Sequence, residues 1–199
     1  PLFSIVIPTY NRSELVQGAV QSTLGQTLGD FEIVVSDNCS EDDTHAVIER
    51  FDDPRVRYVR TPTHGTIGDS WEFARSQARC TLLMMLSDDD ALVPDALATF
   101  AEAHHRHDAD FLFCNLAEYR DQSFLDSERN TVRCGPFSGK MRVVSTDEFV
   151  RPLFAFRPGF NMHPSAFMFS SELANRIAQR NGRFFRTNGV EYYAWPPTA

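Results

Sequence analysis

A chain of 199 residues with 42% hydrophobic content builds one sizeable core and needs neither disulfides nor structural metal to fold. Its 27 acidic residues against 19 basic ones leave a formal net charge of −8, which argues against nucleic acid as a partner, because phosphate backbones demand clustered Lys and Arg. No apolar run is long enough to span a bilayer and no basic-then-apolar signal pattern opens the chain, while Cys39, Cys80, Cys114 and Cys134 lack CxxC spacing and read as reduced, cytosolic thiols.

In chain order, short apolar runs alternate with amphipathic stretches, the pattern of a mostly parallel sheet flanked by helices. The expected strands are Phe3 to Ile7, Phe31 to Val35, Val56 to Arg60, Thr81 to Leu86 and Asp110 to Cys114. After the first strand, Asn11 and Glu14 resemble a helix start, Leu15, Ala19 and Val20 give its apolar stripe, and Gly25 ends it. Ser40 with Asp43 repeats that signal ahead of Thr44 to Phe51. Asp69 is expected to cap a helix whose Trp71, Phe73 and Ala74 pack in the core, and Pro94 fits the first turn of a helix running to about His107. Residues 117–142 read as a long polar loop with irregular strands. Ser145 with Glu148 is a further capping box, Ala166 to Phe169 a short apolar run, and Ser171 to Asn181 a helix closed by Gly182. Pro1 in place of Met, and the tail Trp195-Pro196-Pro197-Thr198-Ala199, read as marks of a trimmed chain whose further segments would carry any peripheral membrane association.

Ligands of open α/β sheets bind beyond the carboxyl ends of the strands. Three such ends here are polar: Pro8-Thr9-Tyr10-Asn11-Arg12, Ser36-Asp37-Asn38-Cys39-Ser40 and Ser87-Asp88-Asp89-Asp90. Each alone is ordinary turn and cap chemistry. Together they supply a ring to stack on a base, hydrogen-bonding groups for its edge, and a carboxylate cluster for a hard cation such as Mg²⁺ or Mn²⁺. Consecutive carboxylates repel one another unless a cation neutralises them, and a divalent metal resolves the conflict. His163, in Asn161-Met162-His163-Pro164-Ser165, is read as an acceptor contact or a hydrogen-bonded structural histidine, and His104, His105 and His107 as a solvated helix face.

These residues resemble the family 2 inverting glycosyltransferases of GT-A fold. Ser4 to Arg12 is similar to that family's opening strand and P-x-Y-N-R turn, and Gln26-Thr27 with Phe31 to Val35 to its QT segment and second strand. Ser36 to Thr44 resembles the D-D-x-S-x-D-x-T loop, and Asp88 to Asp90 with Pro94 and Asp95 the D-x-D region. The resemblance implies one GT-A domain over residues 1–199, with a nucleotide-sugar half (1–115) and an irregular acceptor-side half (116–199). It implies that Pro8, Thr9, Tyr10, Asn11, Asp37 and Asn38 hold the nucleoside, that Asp88 lies near the donor ribose, and that Asp89 and Asp90 hold the metal and diphosphate. Asn38 stands where many relatives have an acid; its amide oxygen also accepts the uracil imide proton, so UDP is the expected nucleotide. Gly189 to Trp195 resembles the family's E-D-x-x-x-W segment, which makes Glu191 the expected general base and puts Val190 where Glu is usual.

The implied activity is metal-dependent, inverting transfer from a nucleoside-diphosphate sugar to a glycan or lipid-linked acceptor, in the cytoplasm or at the inner face of the cell membrane. The departure at Val190 leaves a binding module without turnover as the alternative. A sugar-1-phosphate nucleotidyltransferase is disfavoured by the lack of a Gly-rich phosphate loop, and an Asp-nucleophile phosphatase because its D-x-D should follow the first strand.

Overall fold

The computed structural model describes residues 1–114, 116–118, 131–133 and 163–184. Strands β1 (Phe3–Thr9), β2 (Phe31–Asp37), β3 (Val56–Arg60) and β4 (Leu82–Met85) alternate with helices α1 (Ser13–Leu24), α2 (Thr44–Glu49) and α3 (Ile67–Ser76). Then follow α4 (Ala96–His107), β5 (Phe111–Phe113), β6 (Leu116–Glu118), β7 (Thr131–Arg133), β8 (Phe167–Ser170) and α5 (Ser171–Asn181). Six strands form one sheet in the order β3-β2-β1-β4-β8-β5, and β6 pairs with β7 separately at the start of the region expected to be irregular. The first four are parallel; β8 runs antiparallel to β4 and to β5. Strand order reverses between β1 and β4, so the crevice at their carboxyl ends is the place where a ligand is expected.

Alternation along the strands covers both faces. Phe3, Ile5 and Ile7 of β1, Ile33 and Val35 of β2 and Met84 of β4 pack with Val16, Val20, Leu97 and Phe100 from α1 and α4. Val6, Val34, Leu83 and Met85 face the other way, toward Ala74 of α3 and Ala174 of α5, with Trp71 against them. A sheet buried on both faces reads as near-continuous apolar runs, as these strands do.

Several boundaries differ from expectation. The parallel ladder carries β1 and β2 two residues further, to Thr9 opposite Asp37, because the register of Ile5 with Ile33 continues through the polar ends. Arg12, not Asn11, is the N-cap of α1, without a side-chain cap. Asp43 caps α2, again without a side-chain bond, and that helix stops at Glu49. At α3 the cap is Thr66, whose hydroxyl accepts from the Asp69 N–H at 3.2 Å and donates to the Asp69 carboxylate at 2.7 Å. Pro94 precedes α4, whose first turn is capped from a distance. Gln26 accepts from the Leu97 N–H at 3.0 Å and donates to the Val93 carbonyl at 2.7 Å, while the Thr27 N–H donates to the Pro94 carbonyl at 2.8 Å. The Gln-Thr pair is thus the joint between α1 and the segment behind the Asp run. Gly25 and Gly182 end α1 and α5 as expected, Gly182 with a φ of +81° that suits glycine. Cys39, Cys80 and Cys114 are free thiols. No helix among the described residues is long and apolar enough to cross a membrane. Ser145, Glu148, Cys134 and Glu191 lie outside the described residues.

At the opposite end of the sheet, Glu32 accepts from Ser4 Oγ at 2.6 Å, from the Arg79 N–H at 2.9 Å and from Arg57 at 3.3 Å. Burial pushes the Glu32 carboxyl upward, but these donors outweigh it and hold the group below its ordinary 4.5. A depressed carboxylate stabilises the fold above its unfolded pKa, and that contribution is lost as pH falls through the folded value. Glu32→Gln is therefore expected to unfold at about 1 kcal/mol lower stability at pH 7 in urea titrations, with the deficit closing as pH falls below about 4.5. A deficit that stays constant with pH would show that the charge contributes nothing.

Candidate functional site

The three polar strand ends meet and are laced together. The Asn38 N–H donates to the Thr9 carbonyl at 3.0 Å, and the Thr9 hydroxyl donates to Asp88 Oδ2 at 2.7 Å. The Asn11 N–H donates to Ser40 Oγ at 2.8 Å, and Asn11 Oδ1 accepts from the Glu41 N–H at 2.7 Å. Asn11 and Cys39 take left-handed backbone, with φ of 51° and 65°, and so turn both loops at the crevice. Asn11 therefore fastens the second loop to the first and does not cap α1.

Asp37 corrects an expectation. Its carboxylate is fully buried and accepts from the Ser40 N–H (2.9 Å), Ser40 Oγ (2.5 Å), Tyr58 Oη (2.5 Å) and Arg60 Nη1 (3.0 Å). With its lone pairs directed into the protein, Asp37 braces the loop and does not face the opening. Burial, then the bond to Asp37, pushes the Tyr58 hydroxyl up to about 12, so it stays a donor. Asn38 is also enclosed. Its Oδ1 accepts from the Gly65 N–H at 3.0 Å and from Thr61 Oγ1 at 3.3 Å, and its Nδ2 donates to the Gly65 carbonyl at 2.9 Å. Tyr10 is 42% exposed at the mouth, with the His64 ring against it.

The three carboxylates after β4 take different partners. Asp88, 8% exposed, holds Thr9 and Arg12; Asp89, 49% exposed, is paired with the same Arg12 nitrogen at 3.1 Å. Asp90 turns toward β8, where the Ser165 hydroxyl donates to it and His163 Nδ1 lies 3.3 Å away, near enough for charge attraction but outside hydrogen-bond geometry. Burial pushes Asp88 and Asp90 above the ordinary carboxylate range, against the pull of Thr9 and Arg12 on Asp88 and of Ser165 and His163 on Asp90. Repulsion within the triplet is thus relieved in part by Arg12, to which the sequence reading gave no role. Among the described residues no three His, Cys, Asp or Glu side chains converge on one cation position. The donor set fits an ion of the Mg²⁺ type, which binds through one or two carboxylates and completes its shell with water and substrate phosphate; Asp89 is the most exposed of the three carboxylates.

A family model described as glycosyl transferase family 2 matches residues 4–177. The chain is 35% identical over 106 residues to the GalNAc(5)-diNAcBac-PP-undecaprenol beta-1,3-glucosyltransferase of Campylobacter jejuni, a match covering 51% of the chain and 34% of that relative. Its structure is similar to S. aureus TarS 1-349 (TM-score 0.68, 20% identity, 88% of this chain and 49% of that one), which has also been solved in complex with UDP-GlcNAc. It is similar as well to the mannosyltransferase PcManGT of Pyrobaculum calidifontis in complex with GDP-Man and Mn²⁺ (TM-score 0.61, 18% identity, 89% and 46%). At such identities the structural likeness shows the GT-A fold. The chain spans about a third to half the length of these proteins.

The bracing role of Asp37 has a measurable consequence. Asp37→Ala is expected to cost about 2 kcal/mol in chemical denaturation, because Tyr58 and Ser40 lose the buried acceptor they share, while the half-exposed Arg60 turns to water. A loss below about 1 kcal/mol would mean that these donors find solvent without penalty.

Proposed function

The chain belongs to glycosyl transferase family 2, and from that premise we propose that it moves a sugar from a UDP-sugar to a glycan or lipid-linked acceptor, with inversion at the anomeric carbon. The observation that carries the reading is the convergence of three polar strand ends where strand order reverses, with Tyr10, Asn38 and Asp89 on neighbouring loops. The UDP-GlcNAc held by TarS and the undecaprenol-linked glycan named for the Campylobacter enzyme support the same two substrate classes here. For a lipid-linked acceptor, the encounter is placed at the inner face of the cell membrane.

In this reading Tyr10 stacks on the base and Asn38 pairs with its edge, with Pro8, Thr9 and Asn11 shaping the loop around them. Asp88 lies toward the ribose. Asp89, with Asp90 beside it, would hold the divalent ion, which supplies charge neutralisation on the departing diphosphate. Arg12, bound to Asp88 and Asp89, puts a permanent positive charge at the same place. Glu191 takes the proton of the acceptor hydroxyl as it attacks the anomeric carbon from the face opposite the diphosphate. His163 lies beside Asp90 on the turn before β8, and in this reading it contacts the acceptor.

Calorimetric titration of UDP, GDP, ADP and dTDP in Mn²⁺ and then in EDTA tests donor and metal together. UDP is expected to bind best, with affinity falling at least about tenfold in EDTA and by a similar factor in Asp89→Ala. Unchanged affinity of that variant in Mn²⁺ removes the metal assignment. Glu191→Gln is expected to keep UDP affinity while transfer falls by about a hundredfold or more; full transfer would remove Glu191 as the base.

A further inference from the structure

Both groups assigned to the nucleobase are engaged by one short strap, residues 61–66, between β3 and α3. The His64 ring packs against Tyr10 with centroids 4.4 Å apart and the two planes tilted by 42°. Gly65 grips both ends of the Asn38 amide: its N–H donates to Oδ1 at 3.0 Å and its carbonyl accepts from Nδ2 at 2.9 Å. His64 Nδ1 lies 3.0 Å from the Asn38 carbonyl oxygen. Thr66 anchors the strap on α3 by capping with Asp69, and the fit is close enough that a Cβ on Gly65 would meet Asp69 Cβ at 3.2 Å. A planar base slid between Tyr10 and His64 needs two contact spacings, about 7–8 Å. The observed separation leaves no such gap.

We infer that residues 64 and 65 are an internal occupant of the base slot, and that a nucleotide enters by displacing them. The Gly65 backbone offers Asn38 an N–H and a C=O from its two flanking peptide groups, the donor and acceptor that the imide edge of uracil also offers, and the tilted His64 ring occupies the space against Tyr10. The inference rests on the reading above, in which Tyr10 and Asn38 are the base-binding pair. Asn38 makes the grip two-sided. An Asp at this position would still accept from the Gly65 N–H, but it would face the Gly65 carbonyl with a second acceptor and lose that bond. Because the nucleotide binds only the open form, its apparent affinity is lowered by the fraction of molecules in which the strap is released.

The test is UDP titration of the wild-type chain, Asn38→Asp and His64→Ala, each confirmed as folded by thermal unfolding. Asn38→Asp removes one bond of the strap and keeps the acceptor for the base; His64→Ala removes the ring packed against Tyr10 and leaves the Asn38 side-chain bonds to Gly65 in place. Each variant is expected to bind UDP about tenfold more tightly than wild type, the factor that corresponds to 1.4 kcal/mol. In the wild-type chain, the Asn38 side-chain amide signals in a nitrogen–proton correlation spectrum are expected to shift on UDP addition. Should Asn38→Asp not fold, His64→Ala and the amide signals carry the test. UDP binding that is unchanged or weaker in the folded variants overturns the strap and makes His64 a fixed wall of the slot. Failure of all three proteins to bind any nucleotide overturns the donor reading itself, and the strap with it.

Discussion

Thr9 is the point to which the open end of the sheet is referenced. As the last residue of the central strand it stands opposite Asp37 in the parallel ladder, its carbonyl takes the Asn38 N–H, and its hydroxyl reaches Asp88 at the end of β4. One residue thereby fixes the heights of three loops against each other. The constraint comes from the core: β1 is gripped between β2 and β4 with both faces covered by helices, so its carboxyl end cannot slide without exposing Phe3, Ile5 and Ile7. Two residues with positive φ, Asn11 and Cys39, then turn the loops across the crevice, and the Asn11–Ser40 and Asn11–Glu41 bonds hold them there.

The sheet was legible because burial on both faces writes apolar runs that survive any error of boundary, as in Leu82-Leu83-Met84-Met85. The helix starts were less so. Asn11, Ser40 and Asp69 are all competent capping residues, but a short polar side chain has several possible partners, a distant one for Asn11 and one three residues away for Ser40 and Asp69. Asn11 bonds the second loop, Ser40 bonds Asp37, and Asp69 serves Thr66 from the third position of α3. The cap of α4 had no local signal at all, since Gln26 reaches it across 71 residues of sequence.

Motif spacing picked out three polar strand ends that the structure brings together, but could not say which way a side chain points. Asp37 and Asn38 are neighbours with similar chemistry, yet one is enclosed by Ser40, Tyr58 and Arg60 and the other is turned onto Gly65. Nothing in Asp-Asn predicts that division. The strands decide it, because Tyr58 and Arg60 on β3 approach Asp37 in register. Arg12 was visible as the last letter of the first motif, but its partners Asp88 and Asp89 are 76 and 77 residues away. Glu191 falls outside the described residues, so its role stands on the motif alone.

The groups gathered at the crevice already hold protein partners. Asn38 holds Gly65, Tyr10 holds His64, Asp88 and Asp89 hold Arg12, and Asp90 holds Ser165 with His163 beside it. A cluster with three neighbouring carboxylates is tolerable in the fold because of this internal satisfaction; left unpaired, each buried polar group would cost about 1–3 kcal/mol. A ligand bound at these groups would exchange partners with them, and its affinity would be the difference between two similar sets of contacts. Sites of that kind favour the ligand that replaces every partner at once. In the function proposed above, a nucleoside diphosphate with its cation would do so, its base, phosphates and ion addressing the Asn38, Arg12 and Asp89 contacts together, whereas a fragment would break protein bonds that it cannot fully replace.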